Sequence, residues 1–249
     1  MNAPRVVTPR LHVPQRLAAG ELLLPPAAAR HVQVLRLQPG AALRLFDGHG
    51  GEWLAQLLQV GRRDVQVRVE RHEPVERELP LAVTLAIGMP ANERMDALVE
   101  KAAELGAAAL QPLMCARSVL RLDAERALRR QAHWQQVAIA ACEQCGRNRV
   151  PLIGLPQPIG AWLGGLPQPD PLQPRWLLSL GDARPWREMT AALRASSLTL
   201  LSGPEGGFDA AEELAARQRG FVALRLGERV LRADTAPLAA LAALALTSS

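Results

Sequence analysis

Long apolar runs are missing from this chain. No stretch of its 249 residues approaches the ~18 consecutive apolar positions that a membrane-spanning helix needs. Cysteine is scarce: Cys115, Cys142 and Cys145 are odd in number, cannot form a disulfide framework, and fit a reducing compartment. Lysine is scarcer, with Lys101 alone beside 28 arginines. No Walker A pattern is present and no G-x-G-x-x-G follows a strand, which disfavours ordinary nucleotide and dinucleotide sites. The five histidines (His12, His31, His49, His72, His133) show no metal-ligand spacing. Cys142-x-x-Cys145 lies in a helical pattern with no second pair, so no metal is expected. No serine occupies a nucleophile elbow, and no internal repeat is visible. Met1 to Arg10 carries no apolar stretch and does not read as a secretory signal. These absences together set the expectation of a soluble cytoplasmic protein.

What is present supports a packed core. Apolar residues make up 49% of the chain and charged residues 21%, which excludes global disorder. The length allows one large domain or two ordinary ones. Basic residues exceed acidic ones by 29 to 24, and the excess is uneven. Residues 1–73 hold ten arginines against six acids, a net +4, while 74–249 are nearly balanced at +1. A basic first third is the footprint expected of an anion-binding module, although charge alone favours a merely soluble basic surface.

The chain divides near its prolines. Ala41–Phe46 alternates into the Asp47-Gly48 turn, Trp53–Leu58 follows Gly50-Gly51, and Val65–Val69 alternates apolar and polar residues. Short strands separated by glycine turns suggest a small β-barrel over 1–73, crossed by a helix at Ala27–Leu37. His72 to Pro80 reads as a linker. From residue 80 to 249, strands and helices alternate. Strands are expected at Leu81–Ile87, Ala107–Met114, Val150–Leu155, Arg175–Leu180, Leu198–Leu201 and Phe221–Leu226. Helices are expected at Glu93–Leu105, Asp123 to Cys145, Trp186–Ala195, from Asp209, and from Thr235 to Leu246. Gly164–Pro174 reads as a loop. Such alternation means a parallel sheet covered by helices, an α/β domain.

Two strand-to-helix loops are shaped for a ligand. Ser202-Gly203-Pro204-Glu205-Gly206-Gly207 lets backbone approach a bound group closely, or is simply a tight turn. Leu226 to Arg232 leads into Asp234-Thr235-Ala236. Both would lie at carboxyl ends of parallel strands, where such sheets bind ligands. The last helix is Ala and Leu nearly all round, which favours burial against a second copy, a homodimer, over a terminal helix laid on its own sheet.

These loops carry a resemblance. In the front region it rests on His31…Val34-Leu35-Arg36 and Phe46-Asp47-Gly48. Further on it rests on Glu93-Arg94-Met95, Glu100-Lys101-Ala102, Glu104-Leu105-Gly106, Glu143-Gln144…Arg147…Val150-Pro151, Gly203–Gly207 and Leu226–Ala236. Each is weak alone, but their order over nearly the whole chain resembles the SPOUT-class, RsmE-like methyltransferases, which methylate N3 of a uridine in 16S ribosomal RNA. The resemblance implies a PUA-like barrel, then a SPOUT domain whose C-terminal chain threads a trefoil knot. It implies S-adenosyl-L-methionine held by Leu180, Leu201, Ser202, Gly203, Pro204, Gly206, Gly207, Leu226, Gly227, Val230, Leu231, Thr235 and Ala236. Two positions depart from the family pattern: Ala91, near which a base is usual, and Asp234, where Glu is usual.

The implied chemistry assigns roles. A sulfonium methyl needs no metal, but uracil N3–H is a weak acid whose proton must be removed or whose anion must be stabilised. Arg232, always protonated, is the candidate to face charge on a uracil carbonyl or a phosphate. Glu205 is the candidate proton acceptor, or a loop anchor. Arg10, His31, Arg36, Arg94 and Arg147 are candidate RNA contacts. Two other readings share parts of this pattern: a non-enzymatic RNA-binding assembly factor of the small ribosomal subunit, and a SPOUT enzyme acting on transfer RNA.

Overall fold

The computed structural model describes residues 8–90, 94–191 and 194–247 and separates the chain into two compact units. Ala91 and Glu93 lie outside the described residues. The first unit comprises residues up to Glu78 together with Ile139–Val150. It holds β1 (Arg10–His12), β2 (Gly20–Leu23), α1 (Pro26–Val34), β3 (Ala42–Phe46), β4 (Glu52–Val60) and β5 (Val65–Glu73) in a sheet of order β1-β3-β4-β5-β2. Alternation sends Leu43, Leu45, Leu57, Val65, Val67 and Val69 inward, where Ala28, Ala29 and Val32 of α1 meet them. β5 runs further than its alternation suggests and absorbs His72 and Glu73, so the linker starts after them. β1 and β2 were not legible as strands.

A buried charge cluster fastens 139–150 to this sheet. Glu52, 1% exposed, accepts hydrogen bonds from Arg10 and Arg44, and from Arg77 at 3.3 Å. Arg10 also donates to Asn148 Oδ1 at 2.6 Å and to the Arg147 carbonyl at 3.1 Å. Arg147 forks onto Glu78, and the Glu143 carboxylate accepts from the His12 backbone N–H at 2.9 Å. Sequence reasoning assigned this segment wholly to the second domain.

The second unit contains β6 (Ala82–Gly88), α2 (Arg94–Glu104), β7 (Ala109–Met114), the start of α3 (Ala124–Cys145), β8 (Leu152–Ile153), β9 (Gln157–Pro158) and α4 (Ile159–Gly165). It continues with β10 (Arg175–Leu178), β11 (Arg184–Pro185), α5 (Trp186–Ala191), β12 (Ser197–Ser202), α6 (Ala210–Gln218), β13 (Phe221–Arg225) and α7 (Thr235–Thr247). The strands pair in parallel in the order β11-β13-β10-β12-β6-β7-β8, with β9 also on β7. Leu177, Leu201 and Ala86 share a cluster with Ile159 and Leu163 of α4 and Ala216 of α6. α7 lies against β6, β12 and α2. The expected loop at 164–174 holds only the last residues of α4, and the helix expected at Trp186–Ala195 is described as far as Ala191.

The apolar last helix is amphipathic in its burial, though not in its sequence. Pro237, Ala240, Leu241 and Leu244 are buried, whereas Leu246 is 80% exposed. Leu241 and Leu244 of this helix, which the sequence places against a second copy, fill the core of their own chain.

Candidate active site

Strand order sets the position of the site. β13, β10 and β12 are neighbours, with Leu178 level with Leu224 and Leu177 level with Leu201. Their carboxyl ends therefore open along one edge, and three loops leave from it: 179–183, 203–209 and 226–234. Between these loops lies a cavity of about 600 Å³, within the range of small-molecule sites.

Local chemistry shapes the 203–209 loop. Asp209 caps α6 by accepting from the Glu212 N–H at 2.7 Å, and Glu212 reciprocates to the Asp209 N–H at 3.1 Å. The second Glu212 oxygen accepts from the Ala116 N–H at 2.6 Å, which ties segment 115–118 to the same helix start. Gly207 holds φ 68°, a left-handed conformation costly to a side chain. At Gly206 a Cβ would stand 2.9 Å from Arg117 Cβ, and Arg117 donates to the Gly206 carbonyl at 2.9 Å. The absent side chain thus makes room for Arg117.

Eleven of the candidate cofactor and catalytic residues meet at the cavity: Leu180, Ser202, Gly203, Pro204, Glu205, Gly207, Leu226, Val230, Leu231, Arg232 and Ala236. Leu201, Gly206, Gly227 and Thr235 are not on its wall; Leu201 is wholly buried beneath it. Arg94, expected at RNA, is on the wall and faces Glu205 at 3.4 Å. Sequence reasoning missed Leu177, Leu178, Ser179, Phe208, Glu213 and Leu224, while Arg229 and Ala233 lie in the 226–236 stretch it singled out without being named as contacts. Those on β10 and β13 became visible only with the strand order. Leu180 and Val230 are 50% and 82% exposed, apolar surface on the wall of a site of mixed polar and apolar lining. Among the described residues, no carboxylate pairs with Arg232.

The remaining candidates separate. Arg10 and Arg147 are 9% and 4% exposed and are consumed by Glu52 and Glu78, so both are interior ion-pair partners and not surface contacts. His31 Nδ1 lies 3.2 Å from Glu143. Arg36 is exposed at φ 52°; its N–H bonds the Gln33 carbonyl and that of Leu37 bonds Val32, closing α1 with a Schellman turn. Burial pushes the Cys115 and Cys142 thiols up to about 12, so neither supplies a thiolate near neutrality. Among the described residues, no group of three or more His, Cys, Asp or Glu side chains is placed to hold a metal ion, and no helix is long and apolar enough to cross a membrane.

Comparison with known proteins now bears on this geometry. Residues 77–245 match the model of an RNA methyltransferase domain, and 24–70 that of an RNA methyltransferase PUA domain. Ribosomal RNA small subunit methyltransferase E of Synechocystis is 33% identical over 92% of this chain and 74% of that protein. The Bacillus subtilis protein of the same name is 32% identical over 86% and 84%. The crystal structure of such a methyltransferase from Neisseria gonorrhoeae, bound to S-adenosylmethionine, is 33% identical, covers 97% and 98% of the two chains, and superposes with a TM-score of 0.88.

Proposed function

This chain belongs to the family of ribosomal RNA small subunit methyltransferase E, and from that premise we propose that it methylates N3 of one uridine in 16S ribosomal RNA. It is a methyltransferase that uses S-adenosylmethionine. The observation that carries the reading is the cavity at the shared carboxyl edge of β10, β12 and β13, lined on one side by glycine-loop backbone and on another by arginine.

The residues present fit the cofactor. It combines a flat base, a ribose and a zwitterionic tail. Leu178, Leu226, Val230, Leu231 and Ala236 would supply apolar wall, and Ser179, Ser202 and the 203–207 backbone polar contacts. When bound, it supplies an electrophilic methyl group. The chain must then handle the uracil proton. Arg232, exposed on the cavity wall, stabilises negative charge on a uracil carbonyl. Glu205, held by Arg94, receives the N3 proton. Arg36, on the basic first unit, contributes RNA contact.

The exposed face of α7, with Leu246, supports a homodimer, and membership of the family carries the expectation of a C-terminal trefoil knot. Such an enzyme works in the cytoplasm, where small subunits are built. The test is methyl transfer from isotope-labelled S-adenosylmethionine to naked 16S RNA, to assembled small subunits and to transfer RNA, followed by nucleoside mass spectrometry. Label in N3-methyluridine supports the reading, and label in another nucleoside or in transfer RNA overturns it.

A further inference from the structure

A second concavity, about 480 Å³, lies on the same unit, between the Leu120–Leu122 segment and the first turns of α3. Arg121, Arg126, Arg129, Arg130 and His133 line it. On α3 the spacing 126, 129, 130, 133 is that of a single helix face. From 117 to 133 the chain has five arginines against Asp123 and Glu125, a net +3 that disappears when charge is summed over 74–249.

His133 is taken up by Asp96 at 2.6 Å, but the pairing of the arginines leaves their charge available. Arg126 meets Asp123 at 3.4 Å and Arg129 meets Glu125 at 2.8 Å, but both arginines are 65% exposed, where such pairs contribute little. Arg121 donates to the Ala116 carbonyl at 2.8 Å. Among the described residues, Arg130 has no acidic partner. The groove is also tied to the methyl-donor site through the chain that precedes it. Leu120–Leu122 line it, and just before them Arg117 donates to the Gly206 carbonyl of the cofactor loop while the Ala116 N–H donates to Glu212 at the start of α6.

We propose that this arginine groove binds the phosphate backbone of the substrate RNA strand beside the target uridine, so that the catalytic unit reads the RNA backbone itself. The inference rests on the rRNA-methylating function proposed above. An anionic polymer fits because guanidinia along one face can meet successive phosphates while the base edge remains free to enter the methyl-donor cavity.

The test compares the full chain with the triple variant Arg126→Gln/Arg129→Gln/Arg130→Gln and its triple Arg→Lys counterpart. Affinity for a labelled 16S fragment is measured across a salt series. Each lost phosphate contact should lower the magnitude of the salt slope by about 1. The Gln variant should show a KM for RNA raised on the order of tenfold, with kcat at saturating RNA and S-adenosylmethionine affinity unchanged, and the Lys variant should restore the slope. A Gln variant with wild-type slope and KM overturns the groove as an RNA site. If the Gln variant loses its fold or its cofactor affinity, Arg130→Glu decides alone, and an unchanged slope overturns the proposal. A wild-type chain that binds no 16S RNA overturns the functional reading instead, because that outcome does not depend on the variants.

Discussion

Removing the Arg10 guanidinium separates an interior role from an RNA-contacting one. Arg10 and Glu52 are 9% and 1% exposed, and Glu52 keeps only Arg44 and Arg77, which are 33% and 43% exposed, once Arg10 is gone. Asn148 Oδ1 loses its 2.6 Å donor, and the contact of the Arg10 guanidinium with the Phe46 ring, 5.0 Å from its centroid, disappears. Breaking a buried pair from one side costs about 3–5 kcal/mol, and the two remaining arginines place Arg10→Ala near ~3 kcal/mol. At a urea m-value of ~2 kcal/mol/M, the first unit should unfold about 1.5 M earlier. Amide exchange in β1, β3 and β4 along a urea series resolves that unit from the rest of the chain. Acid sensitivity should change in parallel. Burial pushes the Glu52 carboxyl up, but the hydrogen bonds and charges of Arg10 and Arg77 outweigh it and hold the group below its ordinary 4.5. Its contribution is therefore complete above pH 4.5 and lost as pH falls through the folded value. Arg10→Ala should flatten that acid limb. The salt slope of RNA binding should not move. A loss of stability under ~1 kcal/mol together with a slope reduced by about 1 would make Arg10 a phosphate contact and refute the reasoning.

Other substitutions probe the second unit. Gly206→Val should displace Arg117 at a cost of about 1–3 kcal/mol and weaken S-adenosylmethionine binding through the loop, and calorimetry showing wild-type affinity in a folded variant removes that coupling. Leu246→Glu should leave monomer stability within about 0.5 kcal/mol yet shift sedimentation towards monomer, whereas Leu241→Glu, fully buried, should unfold the chain; equal sedimentation of Leu246→Glu and wild type as dimers places the interface elsewhere. Arg232→Ala should lower single-turnover rate by about 10²-fold with little change in RNA affinity, and the reverse pattern makes Arg232 a phosphate clamp.

The parallel architecture is legible because β6, β10 and β12 are largely buried and read as mostly apolar runs, interrupted by Thr84 in β6, Arg175 in β10 and Thr199 in β12. The Asp209/Glu212 capping box is legible because it is local. β1 and β2, of three and four residues, are defined by partners far along the chain, and no periodicity marks them. The glycine loops identify half of the cavity wall. Leu177, Leu178 and Leu224 join it only because β10 lies between β12 and β13, a fact of topology. Charge misleads most where pairing is non-local. Arg10 and Arg147 look like surface bases in sequence and are interior in the fold, so deleting 1–73 would also expose Arg147 and Asn148 and is no clean test of RNA reading. The arginine groove shows the converse, since its excess is averaged away over a domain.

The most direct measurement maps modified nucleosides in 16S ribosomal RNA from cells with and without this chain. One N3-methyluridine present in the parent, absent from the deletion, and restored by the wild-type protein but not by Arg232→Ala, is the predicted result. An unchanged N3-methyluridine profile in the deletion, with a methyl group missing from a different nucleoside, would contradict the account.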